Sequence, residues 1–99
     1  SEVAGKWLGE RLADWEKRGH DTTTLQQHLA AEPVGASERL LYAERTIEAA
    51  ERLRGRLEDM PAAWPERDVL LSRLRDPMNF QTVEREWLQI GRASRRERV

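Results

Sequence analysis

The chain has 99 residues, 35% of them charged and 38% hydrophobic, with no cysteine and a formal net charge of −1. That length supports one domain with a single small core, and the missing cysteines exclude a disulfide framework, a thiolate metal site and a cysteine nucleophile. No apolar run reaches the ~20 residues of a membrane span and no signal-peptide apolar segment is present, so no membrane partner and a cytoplasmic location are expected.

Gly and Pro fall between periodic segments and β-branched residues are sparse, so the expected fold is all-α. A first helix is predicted over Val3–Arg18, with Ala4, Leu8, Leu12 and Trp15 on one stripe and Trp7 at its edge. Gly19 is the expected stop, after Lys17 and Arg18, which suit the negative end of the helix dipole. Asp21 is placed as the N-cap of a short second helix, Thr22–Ala31, with Leu25 and Leu29 as its apolar edge and Pro33 and Gly35 ending it.

The third helix is expected to span about 37–60, with Ser37 as its N-cap. Leu40, Ala43, Ile47, Ala50, Leu53 (or Arg54), Leu57 and Met60 recur at spacings of three and four, close to the heptad stripe of a coiled coil. Glu48 and Arg52 are placed as a supporting i,i+4 pair. Gly55 is a weak point costing about 1 kcal/mol against Ala.

Pro61 and Pro65 bracket a break, and Pro65 is preset for the first turn of a fourth helix with Leu70, Leu71 and Leu74 inward. Asp76-Pro77 stops that helix. A fifth begins near Asn79, with Phe80, Val83 and Trp87 on one stripe, which Ile90 extends. The expectation is an antiparallel four- to five-helix bundle built around the long central helix.

Two resemblances bear on this organisation. The run from Leu12 through Trp15, Gly19, Asp21 and Leu25 to Leu29 is weakly similar to helical hairpin modules of archaeal multidomain proteins, with no family to name. The last ten residues, Ile90-Gly-Arg-Ala-Ser-Arg-Arg-Glu-Arg-Val99, resemble the translation of a common short-read sequencing adapter. One frame of that adapter encodes this string and then a stop, with a Cys codon where the chain has Arg95. The adapter's preceding letters, ag, would complete a cag codon for Gln89. The resemblance implies a metagenome-type fragment: residues 1–89 as one helical domain cut from a longer protein, and 90–99 as a non-native tail. The absence of an initiating Met implies a missing native start as well.

The tail also decides how the charge is read. Arg92, Arg95, Arg96 and Arg98 against Glu97 give it +3 of the total −1, which leaves −4 on residues 1–89. The body under the basic cluster is acidic, which disfavours nucleic acid.

Residues that carry chemistry are few. His28 and Glu32 are four apart and could give a metal two ligands from one helix face, but no third ligand is evident and His20 lies in a turn. Asp21 beside His20 resembles an acid–base dyad, yet capping accounts for Asp21. No phosphate loop, nucleophile motif or zinc spacing is present, so no enzyme activity, no cofactor and no small-molecule substrate are expected. Of the four tryptophans, Trp15 and Trp87 sit on core stripes, whereas Trp7 and Trp64 lie where they can face a partner. With Tyr42 they are the candidate interface. The function expected is a non-catalytic helical module for protein–protein interaction or oligomerisation; the alternative is a helix-turn-helix-like nucleic-acid-binding domain.

Overall fold

The computed structural model describes the backbone of residues 2–31 and 35–97 and the side chains of residues 7–31, 35 and 37–93. Among them are five helices, α1 (Glu2–Lys17), α2 (Thr23–Ala31), α3 (Ala36–Glu58), α4 (Pro65–Leu74) and α5 (Phe80–Glu97), with a 3-10 turn at Pro77–Asn79 and no strand. The all-α architecture organised on one long helix is therefore the one that forms. The Ala4 side chain, Glu32 and Pro33 lie outside the described residues.

The end of α1 is set by Gly19, whose φ of +94° is the left-handed region. The His20 N–H donates to the Trp15 carbonyl at 3.1 Å and the Gly19 N–H to that of Glu16 at 3.0 Å, so the helix closes in a Schellman motif. α2 starts one residue later than expected. The Asp21 carboxylate accepts the Thr23 N–H at 3.1 Å, but the Thr22 carbonyl takes the first helical bond, from the Gln26 N–H. Asp21 thus makes a turn just ahead of the cap. Thr22 is buried and satisfied: its hydroxyl donates to Glu16 Oε1 and accepts from Gln26 Nε2, both at 2.9 Å.

Ser37 is not the cap of α3. Gly35 holds extended backbone (φ −65°, ψ 161°) at that position with no side-chain bond, and its carbonyl accepts the Arg39 N–H at 3.0 Å. Glycine tolerates the N-cap position, so the helix starts ahead of Ser37. At its other end α3 stops at Glu58 rather than near Met60, because Pro61 forces the residue before it out of helical geometry. Asp76 caps the 3-10 turn by accepting the Met78 N–H at 2.9 Å.

Two ion pairs fix how α1 lies on α3. Arg11 reaches Glu44 at 3.0 Å and, seven residues on in both helices, Arg18 reaches Glu51 at 3.0 Å. Equal steps in the same sense mean that the two helices run parallel. α5 is also parallel to α3: Thr46 and Ala49 share a cleft with Phe80, and the Arg56 guanidinium lies over the Trp87 ring at 5.4 Å. On α3, the α1 contacts and the α5 contacts fall on opposite flanks, some 90–100° either side of Ala50. α1, α3 and α5 therefore form one layer, with α2 and α4 as the return helices of a second.

The dimensions agree. Three helices ~9.5 Å apart make a layer ~24 Å wide, and two layers are ~14 Å deep; the molecule measures 57 × 24 × 16 Å. Its radius of gyration is 15.9 Å, against about 13 Å for a compact domain of this length.

Two core clusters share α3. Trp15, Leu25, Leu29, Ala43 and Ile47 form the first, and Ala50, Leu53, Leu57, Leu70, Leu74 and Val83 the second. The heptad stripe of α3 is thus filled from within the chain. Ile90 packs against the second cluster, and α5 continues without a break past it through Gly91.

Two glycines are expected to respond to alanine with opposite signs. Gly19→Ala places a Cβ in left-handed backbone and loses about 1–2 kcal/mol. Gly55 sits in mid-helix where an added Cβ meets nothing within 4 Å, so Gly55→Ala gains about 1 kcal/mol. Thermal melts separate the two by roughly 4–8 °C per kcal/mol in a domain this size.

Candidate functional site

The three candidate interface residues do not meet in one patch. Trp7 is 51% exposed on α1, with the Arg11 guanidinium over its ring at 5.8 Å. Tyr42 is exposed on the opposite flank of α3, where α5 has not yet begun. Its ring stacks on His28 (4.9 Å between centroids, 25° between planes), and its hydroxyl donates to Met78 Sδ at 3.8 Å. Trp64 is half-buried at the N-cap of α4, beyond the far end of α3. Trp15 is buried at 2% exposure, and Trp87 packs against the second core beneath Arg56.

Tyr42 borders a cleft of about 310 Å³ at the step where α5 starts, lined by Arg45, Thr46, Met78, Phe80 and Gln81 among others. Its walls mix aromatic and thioether surface with one guanidinium. A second, more polar cleft of about 360 Å³ lies where the α2 entrance meets the end of α4, with Asp21, Arg75, Asp76 and Asn79 among its lining. There the Asp21 N–H donates to the Arg75 carbonyl at 2.6 Å. Hydrogen bonds from Thr23 hold the Asp21 carboxyl below the usual range.

His28 is committed to its stack on Tyr42, and Glu32 lies outside the described residues. Among the described residues no group of three His, Asp or Glu is placed to hold a metal ion. Asp21 and His20 do not pair.

His20 instead reaches a residue that sequence spacing did not indicate. It is buried at 5% exposure, and its Nε2 lies 3.3 Å from Glu51 Oε2 on α3. The same carboxylate accepts two bonds from Arg18 Nη1, at 3.0 and 3.2 Å, and lies 3.5 Å from Arg54. Arg54 in turn donates to the Arg18 carbonyl at 3.0 Å. The imidazole Nδ1 is enclosed without a partner. Burial pushes the His20 pKa below 6.5, against the pull of the Glu51 hydrogen bond. An imidazole oriented by a carboxylate is the arrangement of a general base, but this one faces protein on its free nitrogen. It ties the α1–α2 turn to α3.

The arginines divide into two groups. Arg11, Arg18, Arg54, Arg67 and Arg73 each lie within 4.0 Å of a carboxylate. The expected Glu48–Arg52 pair is absent from the ion pairs, because both long side chains are exposed on the outer face of α3, where holding one geometry gains little. The arginines facing outward from α3 and α5 behave alike.

No helix among the described residues is long and apolar enough to cross a membrane. Comparisons with protein-family models, with curated proteins and with solved structures returned no match.

Proposed function

We propose that the chain is a non-catalytic helical interaction module whose working surface is the outer face of the α1/α3/α5 layer. The observation that carries this reading is the large apolar side chains left exposed on that face. Trp7, Leu41 and Leu88 are 51%, 48% and 40% exposed, one on each helix of that layer. Leu41 and Leu88 fall on the side of their helices opposite the core residues Ala50 and Val83.

The oligomerisation form of the reading has a direct test. The heptad stripe of α3 is filled internally, so the proposed self-association uses the outer face rather than that stripe. Light scattering should show mass rising toward a dimer at high micromolar concentration, and Leu41→Glu should abolish the rise. A monomer throughout removes self-association and leaves docking of a different protein. Residues 90–99 are proposed as adapter read-through on their resemblance alone; a genomic reading frame that continues differently after Gln89 would support this, and one that encodes the same ten residues would end it.

A further inference from the structure

We propose that the seam between α3 and α5 on the outer face is a docking track for an acidic helical segment of a partner protein. This deepens the interaction-module reading and rests on it.

The seam can be followed from the cleft that fixes its start. Arg45 and Gln81 stand in the walls of that cleft, on α3 and α5 respectively. Because the helices are parallel, steps of three and four residues carry both rows forward together. Ala49, Arg52 and Arg56 follow on α3; Arg85 and Leu88 follow on α5. The placement of Arg56 over Trp87 holds the register. All four arginines are exposed, and Arg45 to Arg56 span ~16 Å along the axis.

None of these four makes an ion pair among the described residues, whereas Arg11, Arg18, Arg54, Arg67 and Arg73 all do. Carboxylates are not in short supply, since Asp and Glu number 18 against 17 Lys and Arg. Lys17, Arg39 and Arg75 are also without an ion pair among the described residues, but they lie away from this seam. Four of the described cations without an ion pair thus share one track, which leaves them for carboxylates that the chain does not provide there. Glu84 falls on α5 between Trp87, which meets α3, and Leu88, so it stands within the seam, and Glu48 borders it; both would repel a continuous polyanion more than a helix whose acids are spaced.

The shape agrees with a helical occupant. Two parallel helices ~9.5 Å apart leave a shallow groove that accepts the ridge of a third. Leu88 and the Tyr42–Phe80 cleft supply apolar holds at its two ends. Acids at i, i+7 and i+11 of a docked helix fall ~10 and ~6 Å apart along the axis, the spacing of Arg45, Arg52 and Arg56.

The test uses the full chain and fluorescence anisotropy. The probes are a labelled acidic amphipathic peptide of about 16 residues with Glu on one face and Leu on the other, its Gln-for-Glu counterpart, and a labelled DNA duplex of about 20 base pairs. The acidic peptide should bind, more weakly as salt rises. The Gln peptide should bind at least about tenfold less well, and so should the acidic peptide to R45E/R52E/R85E. The neutral variant R45Q/R52Q/R85Q, with an unchanged melt, should fall between. No binding of the acidic peptide, equal binding to the variants, or tighter binding of the duplex with the same losses would overturn the proposal. Concentration-dependent mass in light scattering would then still stand for the broader interaction reading, so the two failures are distinguishable.

Discussion

Trp15→Ala should cost about 3–5 kcal/mol of folding free energy, a large share of the 5–15 kcal/mol expected for a whole domain. Trp15 is 2% exposed at the centre of the first core cluster, against Leu25, Leu29, Ala43 and Ile47. No nearby side chain is free to fill the space, because Leu8, Leu12 and Leu40 already pack around the same cluster. The matching cut in the other half, Leu57→Ala, should cost about 2–5 kcal/mol. Both variants should unfold in one transition. α3 carries both clusters, Met78 packs from the 3-10 turn onto the first, and the Asp21 N–H bonds to the Arg75 carbonyl across them. Denaturant unfolding followed by circular dichroism measures the cost. Two separated transitions in either variant would mean that the halves are not coupled through α3.

Much of the secondary structure was legible because local chemistry decides it. Gly19 stops α1, Pro65 opens α4 and Asp76-Pro77 breaks the chain before α5; each rests on backbone restrictions that act within a few residues. The stripe from Ala43 to Leu57 was legible for a similar reason, since helical periodicity places those residues on one face whatever covers them. What covers them was not legible. Nothing in the spacing of Arg11, Arg18, Glu44 and Glu51 says that α1 lies parallel to α3, and the layer that results depends on those long-range pairings. At the start of α3 the hydroxyl of Ser37 advertises a cap, whereas Gly35, which holds that position, has no side chain to show it.

The candidate site was legible only in pieces. Tyr42 stands beside the cleft at the start of α5, but Trp7 and Trp64 fall at opposite ends of the molecule. The outward arginines were hidden for a simple reason. Along the sequence Arg45, Arg52 and Arg56 alternate with Glu44, Glu48 and Glu51, and only folding sends Glu44 and Glu51 to the α1 seam. A chain with net negative charge can thus gather unpaired cations on one face, so net charge alone does not define the surface that a partner meets.

Stability should fall as the pH drops below about 6.5, and His20 should be the main cause. The folded protein encloses this imidazole, leaves Nδ1 without an acceptor, and places it among Glu51, Arg18 and Arg54. Burial disfavours the charged ring most, Arg54 and Arg18 add to that, and the hydrogen bond to Glu51 opposes it; the pKa in the folded state ends below the 6.5 of an ordinary histidine. Above pH 6.5 the ring is neutral in both states and its contribution to stability is fully present. As the pH falls through 6.5 the unfolded chain takes up the proton first, so folding loses up to about 1.4 kcal/mol per pH unit until the folded-state pKa is reached. The loss therefore lies on the acid side of neutrality. Glu51 cannot rescue the protonated ring fully, because its carboxylate already accepts two bonds from Arg18. His20→Gln keeps a donor for Glu51 and removes the titration. Denaturant midpoints from about pH 8 to pH 5 should slope downward for the natural residue and be flatter for His20→Gln, even though the variant starts from lower stability at neutral pH. Parallel slopes for the two proteins would place the acid sensitivity elsewhere in the molecule.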